Sequence, residues 1–245
     1  MTAVEWTLSP VTSFPAETIA VWRVPMKIDQ PLRDDEWGSL SADERARAER
    51  FKFDAPRIRL VRCRRALRFI LSQWLDVAPS SLIFEYGEHG KPELISPCGI
   101  PSFNVSHSHD WAMVAVTATG QLGVDVERCD PRMTWPGLAR RFFSAREVND
   151  LFALPAEQQL AAFYQIWTGK EAFIKAIGRG LSFPLGSFSV ECCPDRPRSM
   201  LAIEDAQFES TAWQMAAIDP AAEYAATVTW NGPAQQVTRL TFPSA

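Results

Sequence analysis

The spacing of apolar positions changes several times along the chain. Ile19 to Arg23 is a short β-like run. From Pro56 to about Leu75, residues Leu60, Cys63, Leu67, Ile70, Leu71 and Trp74 recur at steps near 3.6, which predicts a helix with one apolar stripe. Pro56 suits the first turn of that helix. Upstream, Ser41 and Glu44 have capping-box spacing and predict a helix from Ala42 to about Phe51. Between Leu82 and Val126 the pattern becomes short strands, clearest at Phe103–Val105, Met113–Thr117 and Gln121–Val126. Ser144 and Glu147 form another capping-box spacing, and a longer helix fits Ala156 to about Ile177, ended by Gly178. β-like segments return near Phe188–Glu191, Trp213–Ala217 and Tyr224–Thr229. Each half runs helices and then strands over a similar length. The expected fold is α+β, with two pseudo-symmetric halves, 1–120 and 121–245, meeting near Gly120.

Composition narrows the class. A length of 245 residues suits one large domain or two smaller ones, and 47% hydrophobic with 22% charged residues is that of a folded chain. No apolar stretch reaches the ~18 residues of a membrane helix, and Met1 to Pro10 lacks a signal peptide's basic start and apolar run. The five cysteines are odd in number and form no C-x-x-C pair, so they read as reduced thiols of a cytoplasmic protein. A net charge of −4 excludes a wholesale basic coat for nucleic acid. The charge is uneven, however: nine arginines and Lys52 lie between Asp43 and Arg68 against four acidic residues. Arg59, Arg62 and Arg65, at steps of three, form either a solvated face or a polyanion site. Lysine is scarce, yet two of the five, Lys170 and Lys175, stand five residues apart.

The candidate chemistry begins at Gly123-Val-Asp-Val-Glu-Arg128. On a strand, Asp125 and Glu127 share one face. Two close carboxylates repel unless a cation or proton lies between them, and hard oxygens with open positions suit Mg2+. A solvated polar face is the plainer alternative. On the predicted long helix, Leu160, Phe163, Trp167, Ile174 and Ile177 make the apolar stripe. Glu171 falls inside it, about 40° from Trp167 and about 60° from Ile174 at 100° per residue. A carboxylate there is costly unless it stays protonated or meets a cation, either Lys175 at i+4 or a metal shared with Asp125 and Glu127. Phe103 to His109 ends a strand in small polar donors, of which Ser106 and His107 could reach a phosphate oxygen. Two histidines at i, i+2 without matching cysteines make a poor zinc site.

Taken in order, Gly90-Lys-Pro-x-Leu94, Phe103-Asn-x-Ser-His-Ser108, Gly123-Val-Asp-x-Glu127 and Trp167-x-x-Lys-Glu-Ala-x-x-Lys175 resemble the signature blocks of the Sfp-type 4′-phosphopantetheinyl transferases. Phe142-Phe-Ser with Glu147, and Gly178-x-Gly-Leu181, extend the likeness, which spans roughly 44–190. The resemblance implies two fused α+β units with coenzyme A in the cleft between them. It implies transfer of the phosphopantetheine arm to a serine of an apo acyl or peptidyl carrier protein, releasing adenosine 3′,5′-bisphosphate. Asp125, Glu127 and Glu171 would hold Mg2+; His107 and Lys175 would neutralise the pyrophosphate, with Ser106 lining the pocket. Lys91 would face the nucleotide, and Arg47 and Arg59 the 3′-phosphate or adenine side. Glu44 stands where some relatives carry lysine. Glu171 is the candidate general base and Lys175 an electrostatic clamp. The carrier would dock near 176–189, with Arg179 toward an acidic helix, and the protein is expected to be a monomer. The rival readings are an Mg2+-dependent pyrophosphate hydrolase acting on coenzyme A or a nucleotide, a nucleic-acid binder using the arginine helix, and an inactive scaffold.

Overall fold

The computed structural model describes residues 7–8, 18–87, 91–96, 101–193, 195–232 and 236–243. Gly90, Cys98 and nearly all of the first ten residues lie outside this set. The element order is β1 (Thr7–Leu8), β2 (Thr18–Pro25), α1 (Asp34–Trp37), α2 (Ala42–Glu49), α3 (Asp54–Leu75), β3 (Ile83–Tyr86), β4 (Pro92–Ser96), β5 (Ser102–Ser108), β6 (Trp111–Thr117) and β7 (Leu122–Arg128). There follow α4 (Trp135–Phe142), α5 (Ala145–Ala153), α6 (Ala156–Ala176), β8 (Phe188–Val190), β9 (Met200–Ile203), β10 (Trp213–Ala217), β11 (Tyr224–Asn231) and β12 (Gln236–Thr241). The fold is α+β, and the capping boxes sit where the sequence put them. Ser41 N donates to Glu44 Oε2 at 3.1 Å before α2, and Ser144 N donates to Glu147 Oε2 at 2.8 Å before α5.

Four layers follow from alternation along the strands. A five-stranded sheet has the order β1-β12-β2-β6-β5, and a three-stranded sheet the order β10-β11-β7. Ala20, Trp22 and Val24 of β2 point to one side and pack with Cys63, Leu67, Ile70 and Leu71 of α3. Ile19 and Val21 point to the other side and pack with Leu122, Val124 and Val126 of β7. The second sheet's opposite face meets α6, whose Phe163, Ile166, Phe173 and Ile174 centre a third core. Strands covered on both faces lose the polar alternation of a half-exposed sheet, so β2 and β6 are almost uniformly apolar.

The last strand crosses the expected boundary. β12 falls within 121–245, yet it pairs in parallel with β2, matching Gln236 to Thr18 and Thr241 to Arg23. The first sheet is thus completed by the end of the chain. The arginine face of α3 is also largely spent inside the protein. Arg62 is bound to Glu36 at 2.7 Å and to the Met26 carbonyl at 2.6 Å. Arg68 is fully buried against Glu44 at 2.7 Å. Cys63, Cys129, Cys192 and Cys193 are free thiols. Among the described residues, no helix is long and apolar enough to cross a membrane.

Candidate active site

β5 and β7, each the outer strand of its sheet, lie beside one another where the stacked sheets meet, and side chains bridge them. Asn104, Ser106 and Ser108, alternate residues on β5, all reach β7. Asn104 Oδ1 accepts from the Val124 N–H at 2.9 Å. Ser106 Oγ donates to Asp125 Oδ1 at 2.8 Å, and Ser108 Oγ donates to Glu127 Oε2 at 2.9 Å. Ser108 Oγ also accepts from the Arg128 N–H at 3.1 Å. The structure adds Asn104 and Ser108 to the expected Ser106, and the Asn-x-Ser-x-Ser alternation on a strand is the sequence signal for all three. Val124 and Val126 enter the core, so Asp125 and Glu127 share the opposite face, toward α6.

Helix α6 lies directly on β7 because Gly123 has no side chain. A Cβ there would stand 2.0 Å from the Ala172 carbonyl oxygen and 2.5 Å from the Ala176 nitrogen. Thr168 Oγ1 and Thr227 Oγ1 meet at 3.0 Å, joining α6 to β11. On the other side, the buried Lys170 ammonium pairs with Glu147 at 2.8 Å and donates to the Leu185 carbonyl at 2.6 Å. Glu147 Oε1 in turn accepts from the Val190 N–H at 2.9 Å. Of the two neighbouring lysines, Lys170 therefore serves the core and Lys175 the cleft. The expected apolar stripe needs correction here. Core surrounds most of α6, and Leu160, Trp167, Glu171 and Lys175 form its less buried side. Glu171 is half-buried on the cleft side, not sunk in an apolar face.

Lys175 Nζ lies 2.6 Å from Asp125 Oδ1 and 2.9 Å from Ser106 Oγ, so α6, β7 and β5 converge on one point. Glu171 is pushed up to about 7, first by burial, then by the negative charge of Asp125, with Lys175 opposing and Glu127 adding. Glu127 is also raised, by burial and then by Asp125, against the pull of Ser108 and Lys175. His107 has an open side to solvent, yet the protein packed around its ring lowers its pKa, followed by the positive charges of Lys175 and Arg59. Arg64 acts in the same direction. Asp125, Glu127 and Lys175 thus act on Glu171, and Lys175 with Arg59 and Arg64 acts on His107.

The remaining expected residues lie further from that junction. Arg59 Nε donates to the His109 carbonyl at 2.9 Å. Arg47 is exposed, and with Arg64 it faces the Tyr86 ring, at 5.8 and 5.2 Å from the ring centre. Arg64 and Tyr86 join the expected Arg47 only through tertiary contact, which no local spacing marks. Glu44 is buried between Arg68 and Arg64, so its carboxylate balances arginines of α3. Lys91 donates to the carbonyls of Lys175 at 2.8 Å and Ala176 at 3.4 Å, and its ammonium is engaged with α6. Arg179 is exposed, 2.8 Å from Gln207 Oε1 and 3.7 Å from Asp205. A cavity of about 170 Å³ opens between Lys91, Asn104, Val105, Ile174 and Lys175.

The surroundings of the three carboxylates test whether they suit a cation. Asp125 Oδ2 is buried and accepts no hydrogen bond. An orphaned carboxylate oxygen beside two carboxyls whose ionisation is opposed is relieved by a hard cation. Among the described residues, no group of three or more His, Cys, Asp or Glu side chains is arranged so that it could hold a metal ion by itself. Mg2+ ordinarily takes one or two carboxylates and completes its shell with water and substrate phosphate. The donor set fits such an open oxygen site.

Residues 121–229, which carry β7, α6 and all three carboxylates, match the model of the 4′-phosphopantetheinyl transferase superfamily. The 4′-phosphopantetheinyl transferase HetI of Nostoc is 37% identical over 76% of this chain and 78% of its own length. The 4′-phosphopantetheinyl transferase psf-1 of Bacillus pumilus is 36% identical over 82% of this chain and 84% of its own. Sfp of Bacillus subtilis, a 4′-phosphopantetheinyl transferase, is 36% identical over 69% and 75%. With a site of this chemistry inside the matched region and likeness over most of its length, the chain belongs to the 4′-phosphopantetheinyl transferase family.

Proposed function

We propose that this cleft moves the phosphopantetheine arm of coenzyme A to a serine of an apo acyl or peptidyl carrier protein, releasing adenosine 3′,5′-bisphosphate. The observation that carries the reading is the meeting of Lys175, Asp125 and Ser106 beneath the half-buried Glu171. Asp125, Glu127 and Glu171 would hold Mg2+, which when bound supplies positive charge to the pyrophosphate oxygens. The remaining work falls to the chain's own groups. Lys175 and His107 present cationic or neutral N–H donors to the same oxygens, and Ser106 fixes the Lys175 ammonium beside Asp125. Arg47, Arg59 and Arg64 supply the positive end toward the 3′-phosphate. The carrier serine oxygen forms the new bond to the phosphorus of the arm. The bond to the bridging oxygen breaks, and the electron pair leaves with the nucleotide phosphate. Glu171, ionised beside the cation, is the group to take the serine proton, directly or through water. Positioning and charge neutralisation supply most of the acceleration of such a step.

The carrier would dock against 176–189, where Leu181 is 69% exposed beside Arg179. A monomer suffices, since both sides of the cleft come from one chain. The test is intact-mass spectrometry of an apo carrier incubated with the protein, coenzyme A and Mg2+. A gain of one phosphopantetheine arm that disappears with EDTA, and with Asp125→Ala, supports the reading. No gain across fatty-acid, polyketide and peptide carriers refutes it, and coenzyme A breakdown without carrier would identify a pyrophosphate hydrolase instead.

A further inference from the structure

Lys91 stands immediately before β4, and the two carbonyls it holds are the last of α6. The final carbonyls of a helix lack i+4 partners, and the negative end of the helix dipole favours a cation there, although the Lys175 carbonyl also accepts from the Gly178 N–H at 3.3 Å. This cation arrives from the other half of the chain, 84 residues from Lys175 in sequence. Burial lowers its pKa, with Glu93 opposing, as for an ammonium turned into the protein. Strands β3 and β4 form a two-stranded sheet of their own. At its end, Tyr86 is opposite Pro92, and the Gly87 N–H donates to the Lys91 carbonyl at 3.0 Å. The same end of this small sheet therefore carries the ring flanked by Arg47 and Arg64 and the lysine that grips α6.

We propose that Lys91 is a positioning residue for the transfer, acting through Lys175, and not a ligand of the nucleotide. This deepens the proposed function and rests on it. The Lys91 ammonium holds the backbone carbonyl of Lys175, whose side chain must span from there to Asp125 and Ser106. Two of the three ammonium donors of Lys91 are taken by these carbonyls, so its hold on the last turn of α6 persists whatever the third meets. Holding them ties the last turn of α6 to the half of the molecule that carries Ser106 and His107.

Full-length Lys91→Met and Lys91→Arg proteins test the inference beside the wild type. In Lys91→Met, kcat for carrier modification should fall roughly tenfold or more, while the Kd for adenosine 3′,5′-bisphosphate by calorimetry stays within about twofold. Lys91→Arg should recover most of kcat, because a guanidinium can still donate to the carbonyls. Hydrogen exchange of the 172–179 amides should quicken in Lys91→Met and return toward wild type in Lys91→Arg. A loss of nucleotide affinity of about tenfold or more, with kcat intact at saturation, would make Lys91 a nucleotide ligand and overturn the proposal. So would a Lys91→Met protein with wild-type kcat or unchanged exchange. A wild type that fails to modify any carrier would sink the underlying function, whereas a Lys91→Met protein matching an active wild type sinks only this inference.

Discussion

Substitution of Gly123 by alanine probes how closely the active residues depend on the seating of α6. The new Cβ would lie 2.0 Å from the Ala172 oxygen, 2.5 Å from the Ala176 nitrogen and 3.0 Å from the Ala176 Cα. All three atoms are backbone, so no side chain can rotate away. Contacts shorter than 3.0 Å are essentially absent for real Cβ atoms, so strand and helix must part by about 1 Å. Ala172 follows Glu171 and Ala176 follows Lys175, so this separation moves both groups relative to Asp125. Overpacking costs about 1–3 kcal/mol, and a backbone-to-backbone clash belongs at the upper end. At this chain length, about 3 kcal/mol lowers Tm by roughly 6–12 °C. A displacement of ~1 Å at a reacting centre costs on the order of 100-fold in rate. Thermal unfolding, together with initial rates of carrier modification well below the new Tm, measures both effects. Gly137→Ala on α4 is the control, since nothing lies within 4 Å of its added Cβ. Wild-type Tm and kcat in Gly123→Ala would refute the account of how α6 is placed.

Other perturbations separate structural charge from functional charge. Glu147→Ala leaves the Lys170 ammonium buried without its carboxylate and should cost about 3–5 kcal/mol in urea unfolding. A Glu147→Leu, Lys170→Met double variant should recover much of that loss; failure to recover would mean the pair is more than a satisfied core contact. Glu171 has a folded-state pKa of about 7 against an ordinary 4.5, so the folded metal-free protein binds more protons between these values. Its stability in EDTA should therefore fall as pH rises through that window, and Mg2+ should flatten the dependence; the opposite slope, traced to Glu171 by Glu171→Gln, would contradict the assignment. Tyr86→Ala should raise the KM for coenzyme A more than it lowers kcat, since the ring organises Arg47 and Arg64. An unchanged KM would remove that cluster from the nucleotide's path.

Local pattern revealed the elements better than it revealed their partners. Capping boxes before α2 and α5, and the α6 span, depend on residues three or four apart and were legible for that reason. The paired carboxylates of β7 follow from strand alternation together with burial of Val124 and Val126. The return of β12 to β2 depends on contacts more than 200 residues apart, for which an amphipathic period contains no information. The side of α6 that faces the cleft was misjudged for a related reason. A helix enclosed on most sides has apolar residues nearly all round, so a stripe no longer marks the buried direction. Charge was harder still to assign. Arg62, Arg68 and Lys170 are distinguished from Arg64 and Lys175 only by the carboxylates and carbonyls that tertiary folding brings to them.

Asp125, Glu127 and Glu171 are proposed to form one divalent-cation site that works together with the coenzyme's pyrophosphate. Calorimetric titration of Mg2+ into the protein with coenzyme A present tests it most directly. The wild type should take up about one ion, with proton release below pH ~7 as Glu171 ionises. Asp125→Asn and Glu171→Gln should each lose most of that affinity while remaining folded. Wild-type Mg2+ affinity and proton release in both variants would contradict the claim.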